Sequence, residues 1–205
     1  GTKRWHIKIA RHFREYMATG WVIDHPAHAR LLAPLMRELS SVDDVIIACD
    51  RVEVRSMIEY CDGHLPRRKT VWVPRPVGKG RWKKAWKRSR ASKKALKNVS
   101  KVVSVGAPLE LRVAPRKAKK IYITDTEINH LAHRLATPTD VIIPNHFIDS
   151  LAGPLMKKKC NFHRIDGLHG HVHLQPHMRP SSISDPPKIL TRRLQGDGIH
   201  DSDEI

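Results

Sequence analysis

Short apolar runs alternate along this chain with segments whose apolar positions recur every three or four residues. Residues 21–23, 44–49, 71–73, 101–105, 121–124, 141–143 and 162–165 read as strands. The run DVIIAC at 44–49 is apolar without alternation, the pattern of a strand buried on both faces of a parallel sheet. Between the first two strands, Leu31, Leu32, Leu35, Met36 and Leu39 share one helical face, and Pro26 suits that helix's first turn. Further helices are predicted over 52–61, 81–98 and 128–135, a helix or turn over 107–113, and a helix ending at 157–159. Strands and helices alternating at this length predict an α/β fold: a Rossmann-like parallel sheet with helices on both faces.

That domain is expected to occupy residues 20–165. Residues 1–19 carry basic side chains without a core pattern and read as an extension. Residues 166–187, rich in His, Pro and Ser, read as a linker, and KILTRRL at 188–194 resembles the opening strand of a second domain that the chain does not complete. No apolar run approaches the roughly 18 residues of a membrane span. Cys49, Cys61 and Cys160 lack metal or disulfide spacing and read as small hydrophobes. The expectation is a soluble, cytoplasmic protein.

The formal charge of +18 is local. Residues 67–120 hold 20 Lys or Arg and a single acid, Glu110, while the remainder is close to neutral. This excess is a surface patch and not a property of the fold.

Candidate chemistry collects where strands end, because ligands of open α/β sheets bind beyond the carboxyl ends of the strands. The turn Asp24-His25-Pro26-Ala27-His28 places two imidazoles there. Each is either a candidate general base or an ordinary polar residue of a helix's first turn. The turn has no GxGxxG, so it is not a dinucleotide fingerprint. Asp125 and Glu127 follow the strand at 121–124. They are either substrate-contacting acids or a capping arrangement, with Asp125 or Thr126 as N-cap and Glu127 in the positive first turn.

The segments VIDHPAHARLLAPLMREL, TDTEINHLAHRLATPTDVIIP and DGLHGHVHLQP, with the strand closed by Gly106, resemble the glycosyltransferase-like proteins catalogued as domain of unknown function 354, common in archaea. The resemblance covers about residues 20–201 and is most specific over 124–144. It implies the N-terminal, acceptor-side half of a two-domain GT-B protein, with the chain ending as the donor-binding half begins. The family's first-turn motif falls on His25, Pro26, Ala27 and His28, its acid-pair turn on Asp125 and Glu127, and its proline on Pro144. Two positions depart from the family pattern: Val22 stands where an acid is common, and Gly167-Leu168-His169-Gly170 with His173-Leu174-Gln175-Pro176 replaces the later motif.

The implied activity of the intact protein is glycosyl transfer from a nucleotide sugar, UDP-linked, to a hydroxyl acceptor that includes lipid-linked ones, without a built-in cofactor or metal. Its proton acceptor would come from His25, His28, Asp125 or Glu127, and Gly106, Asn129 and Asn145 are the candidate substrate contacts. The 205 residues alone are expected to be inactive. The alternatives are an enzyme like the UDP-sugar 2-epimerases and a non-catalytic module that binds RNA or membrane.

Residues 81–98 form a basic helix, on which Trp82, Ala85, Trp86, Ser89 and Leu96 make a thin apolar stripe. Arg81, Trp82, Lys83, Lys84, Trp86, Lys87 and Arg88 are the candidate polyanion patch. It fits peripheral association with the anionic inner face of a membrane, or nucleic acid, or a solvated helix whose tryptophans pack on the sheet. His163, His169, His171, His173 and His177 lack the ordered partners of a functional metal centre and read as an adventitious cluster.

Overall fold

The computed structural model describes residues 18–39, 41, 43–62 and 69–166. Seven strands, β1 (Thr19–Ile23), β2 (Val45–Cys49), β3 (Lys69–Val73), β4 (Lys101–Val105), β5 (Lys119–Ile123), β6 (Asp140–Pro144) and β7 (Asn161–Ile165), form one parallel sheet. Their order is β3-β2-β1-β4-β5-β6-β7. The described helices are α1 (Pro26–Leu39), α2 (Val52–Asp62), α3 (Arg81–Ala95), α4 (Pro108–Val113) and α5 (His130–Leu135). This is the expected α/β, Rossmann-like architecture. None of the described helices is long and apolar enough to cross a membrane. Residues 1–17 and everything from 167 onward lie outside the described residues, including the expected linker but for Asp166, the second-domain start and His169, His171, His173 and His177.

Successive residues of a strand point to opposite faces, and in β1 both faces are covered. Trp21 and Ile23 pack with Ala29, Leu32 and Met36 of α1 and Val54 and Ile58 of α2. Val22 belongs to the opposite core, with Ile47, Leu96, Leu111 and Tyr122. Every residue of β1 and β2 is therefore buried, which is why their sequence lacks alternation. Asp44 lies just ahead of β2 instead of inside it. Its buried carboxylate accepts from the Thr19 amide at 2.8 Å, the Trp21 indole Nε1 at 2.7 Å and the Ser41 hydroxyl at 3.1 Å, so its burial leaves neither oxygen unsatisfied. Gly20, paired with Val45 of β2, faces Leu96, and a Cβ there would collide with the Leu96 side chain.

Several expectations change. In α1 the buried face is Ala29, Leu32, Ala33 and Met36, while Leu35 and Leu39 are exposed. In α3, which ends at Ala95, the inward residues are Arg88 and Ser92, followed by fully buried Leu96. Arg88 is 2% exposed and so is not part of the surface patch. Trp82 and Trp86, 77% and 60% exposed, do not pack on the sheet. The reason is geometric: positions 85, 88, 92 and 95 share the inward face, and 82 and 86 fall on the outward one. Helix α5 starts at His130 with Asn129 as N-cap, its side chain accepting from the Ala132 amide, so the acid pair does not cap it. Ile128 and Leu131 are exposed, and residues 153–160 form turns and bends where a helix was expected.

Candidate active site

The strand order reverses between β1 and β4: the chain leaves β1 toward β2 on one side and returns to β4 on the other. Connections diverge at such a point and open a crevice beyond the strand ends. Three turns line this edge in spatial order. Asp24 to His28 follow β1, Gly106 closes β4, and Thr124 to Asn129 follow β5. Neighbouring strands lie about 4.8 Å apart, which puts the β1 and β5 turns roughly 10 Å from each other with Gly106 between. Gly106 has φ 61°, a left-handed conformation suited to glycine, and nothing stands within 4 Å of where a Cβ would be.

The β1 turn rests on a buried ionic cluster. Arg88 reaches up from α3 and donates from Nη1 to Asp24 Oδ1 at 2.7 Å. Its Nε and Nη2 donate to the two carboxylate oxygens of Glu110 at 2.7 and 3.1 Å, and Ser92 Oγ donates to Glu110 Oε1 at 3.1 Å. Glu110 is fully buried at the start of α4. Burial pushes the Asp24 carboxyl up, but the charge and hydrogen bond of Arg88 outweigh it and hold the group below the ordinary carboxylate range. Burial likewise opposes the Arg88 charge, and Glu110, then Asp24, prevail and raise its pKa. One guanidinium between two carboxylates leaves a net charge of −1 under the turn.

That anchoring defines the histidines. The Asp24 amide donates to His28 Nδ1 and the Ala27 amide to His25 Nδ1, both at 3.3 Å. Rings that accept at Nδ1 carry their proton on Nε2 in the neutral form. The ring centroids lie 5.8 Å apart. Burial, and then the charge of Arg51, hold His25 below its usual 6.5. Cys49, at the end of β2 beside Asp24, is pushed up to about 11 by burial and by the Asp24 charge, so it stays a thiol and is no nucleophile at neutral pH.

The β5 turn is built differently. Asp125 is exposed and accepts from the Thr126 hydroxyl at 3.2 Å. Glu127 Oε1 accepts from the Ile148 amide at 3.1 Å, and His130 Nε2 contacts the Leu151 carbonyl at 2.8 Å. These two bonds tie the turn to the loop after β6. Asn129 caps α5, and Asn145 donates through its side chain to Asp166, so neither side chain is a free ligand donor. His163 pairs with Asp140 at 2.9 Å, and among the described residues no group of three or more potential ligands is placed to hold a metal.

Sequence reasoning reached the two turns but missed the Arg88–Glu110 pair. A signal was present: Glu110 is the single acid among 20 cations, and Arg88 and Ser92 share a helical face with Ala85 and Ala95. Fold and edge together define a doubly wound α/β domain with its candidate site at the switch point. No protein-family model matches the chain, and no curated protein matches it.

Proposed function

We propose that the switch-point edge is the acceptor side of a nucleotide-sugar-dependent glycosyltransferase, completed in the intact protein by a donor-binding half. The observation that carries the reading is the placement of the His25/His28 turn, open Gly106 and exposed Asp125 on neighbouring strand ends astride the switch point. Gly106 offers a surface without a side chain for a sugar or other hydroxyl-bearing acceptor to lie against. His28, whose Nδ1 accepts from the Asp24 amide, fixes the β1 turn beside it. His25 stays neutral at physiological pH and is the group that takes the hydroxyl proton, in the tautomer that gives up the 3.3 Å contact to the Ala27 amide. The acceptor oxygen then attacks the anomeric carbon, and the nucleoside diphosphate leaves with the bonding pair.

Transfer from UDP-linked sugars to hydroxyl acceptors by the full-length polypeptide, followed by product analysis, tests the reading. A new glycosidic bond supports it. Isomerised nucleotide sugar with no glycoside formed, or no turnover with any donor, overturns it.

A further inference from the structure

The outward face of α3 is unlike the rest of the surface. Trp82 and Trp86, one turn apart, are 77% and 60% exposed, and Val77, just ahead of the helix, is 47% exposed. Lys84 Nζ donates to the Val77 carbonyl at 3.1 Å, which fixes that loop against the helix end carrying the indoles. Arg90, Lys93 and Lys97 continue the same outward face, and Lys83, Lys87 and Lys94 flank it; all six are exposed. Among the described residues, only Arg88 of α3 has a carboxylate partner, and it faces inward. Like charges four apart, Lys83 with Lys87 and Arg90 with Lys94, repel along the helix, and an external anion relieves them.

We infer that this face docks on an anionic lipid bilayer, with Trp82 and Trp86 at headgroup level and the surrounding lysines against acidic headgroups. Indoles favour the membrane interface, and clusters of four to eight cations bind acidic leaflets. The geometry favours lipid over nucleic acid. Single-stranded nucleic acids lie in a groove and stack bases on open aromatic faces. Here the surface is one outward helix face, and the rings already carry guanidinium groups, Arg81 at 5.2 Å from the Trp82 centroid and Arg90 at 5.5 Å from that of Trp86. Arg88, on the opposite face of the same helix, touches Asp24, so α3 itself lies between the docking face and the β1 turn. The inference stands without the glycosyl-transfer reading, since it needs only the helix and the lipid.

Co-sedimentation of the intact chain with phosphatidylcholine vesicles, with and without phosphatidylserine, tests it, with mixed-sequence single-stranded RNA at the same salt as the rival. Binding is expected only with phosphatidylserine, weakening as salt rises. Trp82→Ala/Trp86→Ala is expected to bind at least about tenfold more weakly with an unchanged melting temperature. Lys83→Gln/Lys87→Gln is expected to weaken binding and flatten its salt dependence. Absence of binding to the acidic vesicles, wild-type binding by both variants, or tighter binding to the RNA overturns the inference.

Discussion

The β1 and β5 turns end neighbouring parts of one sheet edge, and both carry acids and histidines, yet they are held in opposite ways. Beneath the β1 turn lies a buried ionic cluster drawn from three elements, with Asp24, Arg88 on α3 and Glu110 on α4 within hydrogen-bonding distance. The β5 turn is fastened from the side, by Glu127 to the Ile148 amide and by His130 to the Leu151 carbonyl. A carboxylate engaged by a backbone amide is committed to shaping its loop. The β1 turn that carries the imidazoles is instead supported from below by a buried, fully paired arginine. Similar residues at similar strand ends therefore serve different ends, and what separates them is the partner each side chain has found.

The largest expected effect comes from removing the support of the β1 turn. Arg88→Met leaves Glu110 buried without its counter-charge, and unfolding in denaturant should show a loss of about 3–5 kcal/mol. Arg88→Met/Glu110→Leu, which removes both charges, should recover much of it. If Arg88→Met unfolds like the wild type, the cluster does not anchor the turn. The β5 turn is expected to respond more mildly: Glu127→Ala should cost about 1 kcal/mol, the worth of one hydrogen bond, read as a small fall in melting temperature.

A smaller, pH-dependent effect sits under the β5 turn. His133 is fully buried, its ring edge-on to that of Tyr122 with centroids 6.1 Å apart. Burial, and then nearby His130, hold the His133 pKa below its usual 6.5. The unfolded chain therefore takes up this proton more readily than the folded one, so the contribution is present above 6.5 and is lost as pH falls below it. His133→Leu should remove that acid sensitivity and stabilise the fold by about 1 kcal/mol at ~pH 5, with the gap narrowing toward ~pH 8. An unchanged pH profile in the variant would assign the acid loss elsewhere.

How far the sequence speaks depends on what each segment is buried against. β2 and β4 were legible because strands covered on both faces admit almost only apolar residues. On α3 the sequence left open whether Trp82 and Trp86 face solvent or the sheet; they are exposed, and the residue misplaced on the surface is Arg88, because the inward positions Ala85, Arg88, Ser92 and Ala95 are small or internally paired. The start of α5 was misplaced for a related reason. Ile128 and Leu131 match a helical apolar pattern but are exposed, and the capping group is Asn129. The Arg88–Glu110 pair joins residues 22 apart on two helices, and that proximity is set by the sheet and not by local spacing.

On the proposed glycosyl-transfer function, the β1 turn carries the chemistry and the β5 turn shapes its loop. Sugar-transfer turnover of His25→Ala and Glu127→Ala, measured side by side in the full-length polypeptide, tests it most directly. The account predicts a fall of about 10²–10⁴-fold for His25→Ala, the usual worth of a general base. It predicts turnover within a few-fold of wild type for Glu127→Ala despite its lower melting temperature. Wild-type turnover in His25→Ala together with collapse in Glu127→Ala would contradict it.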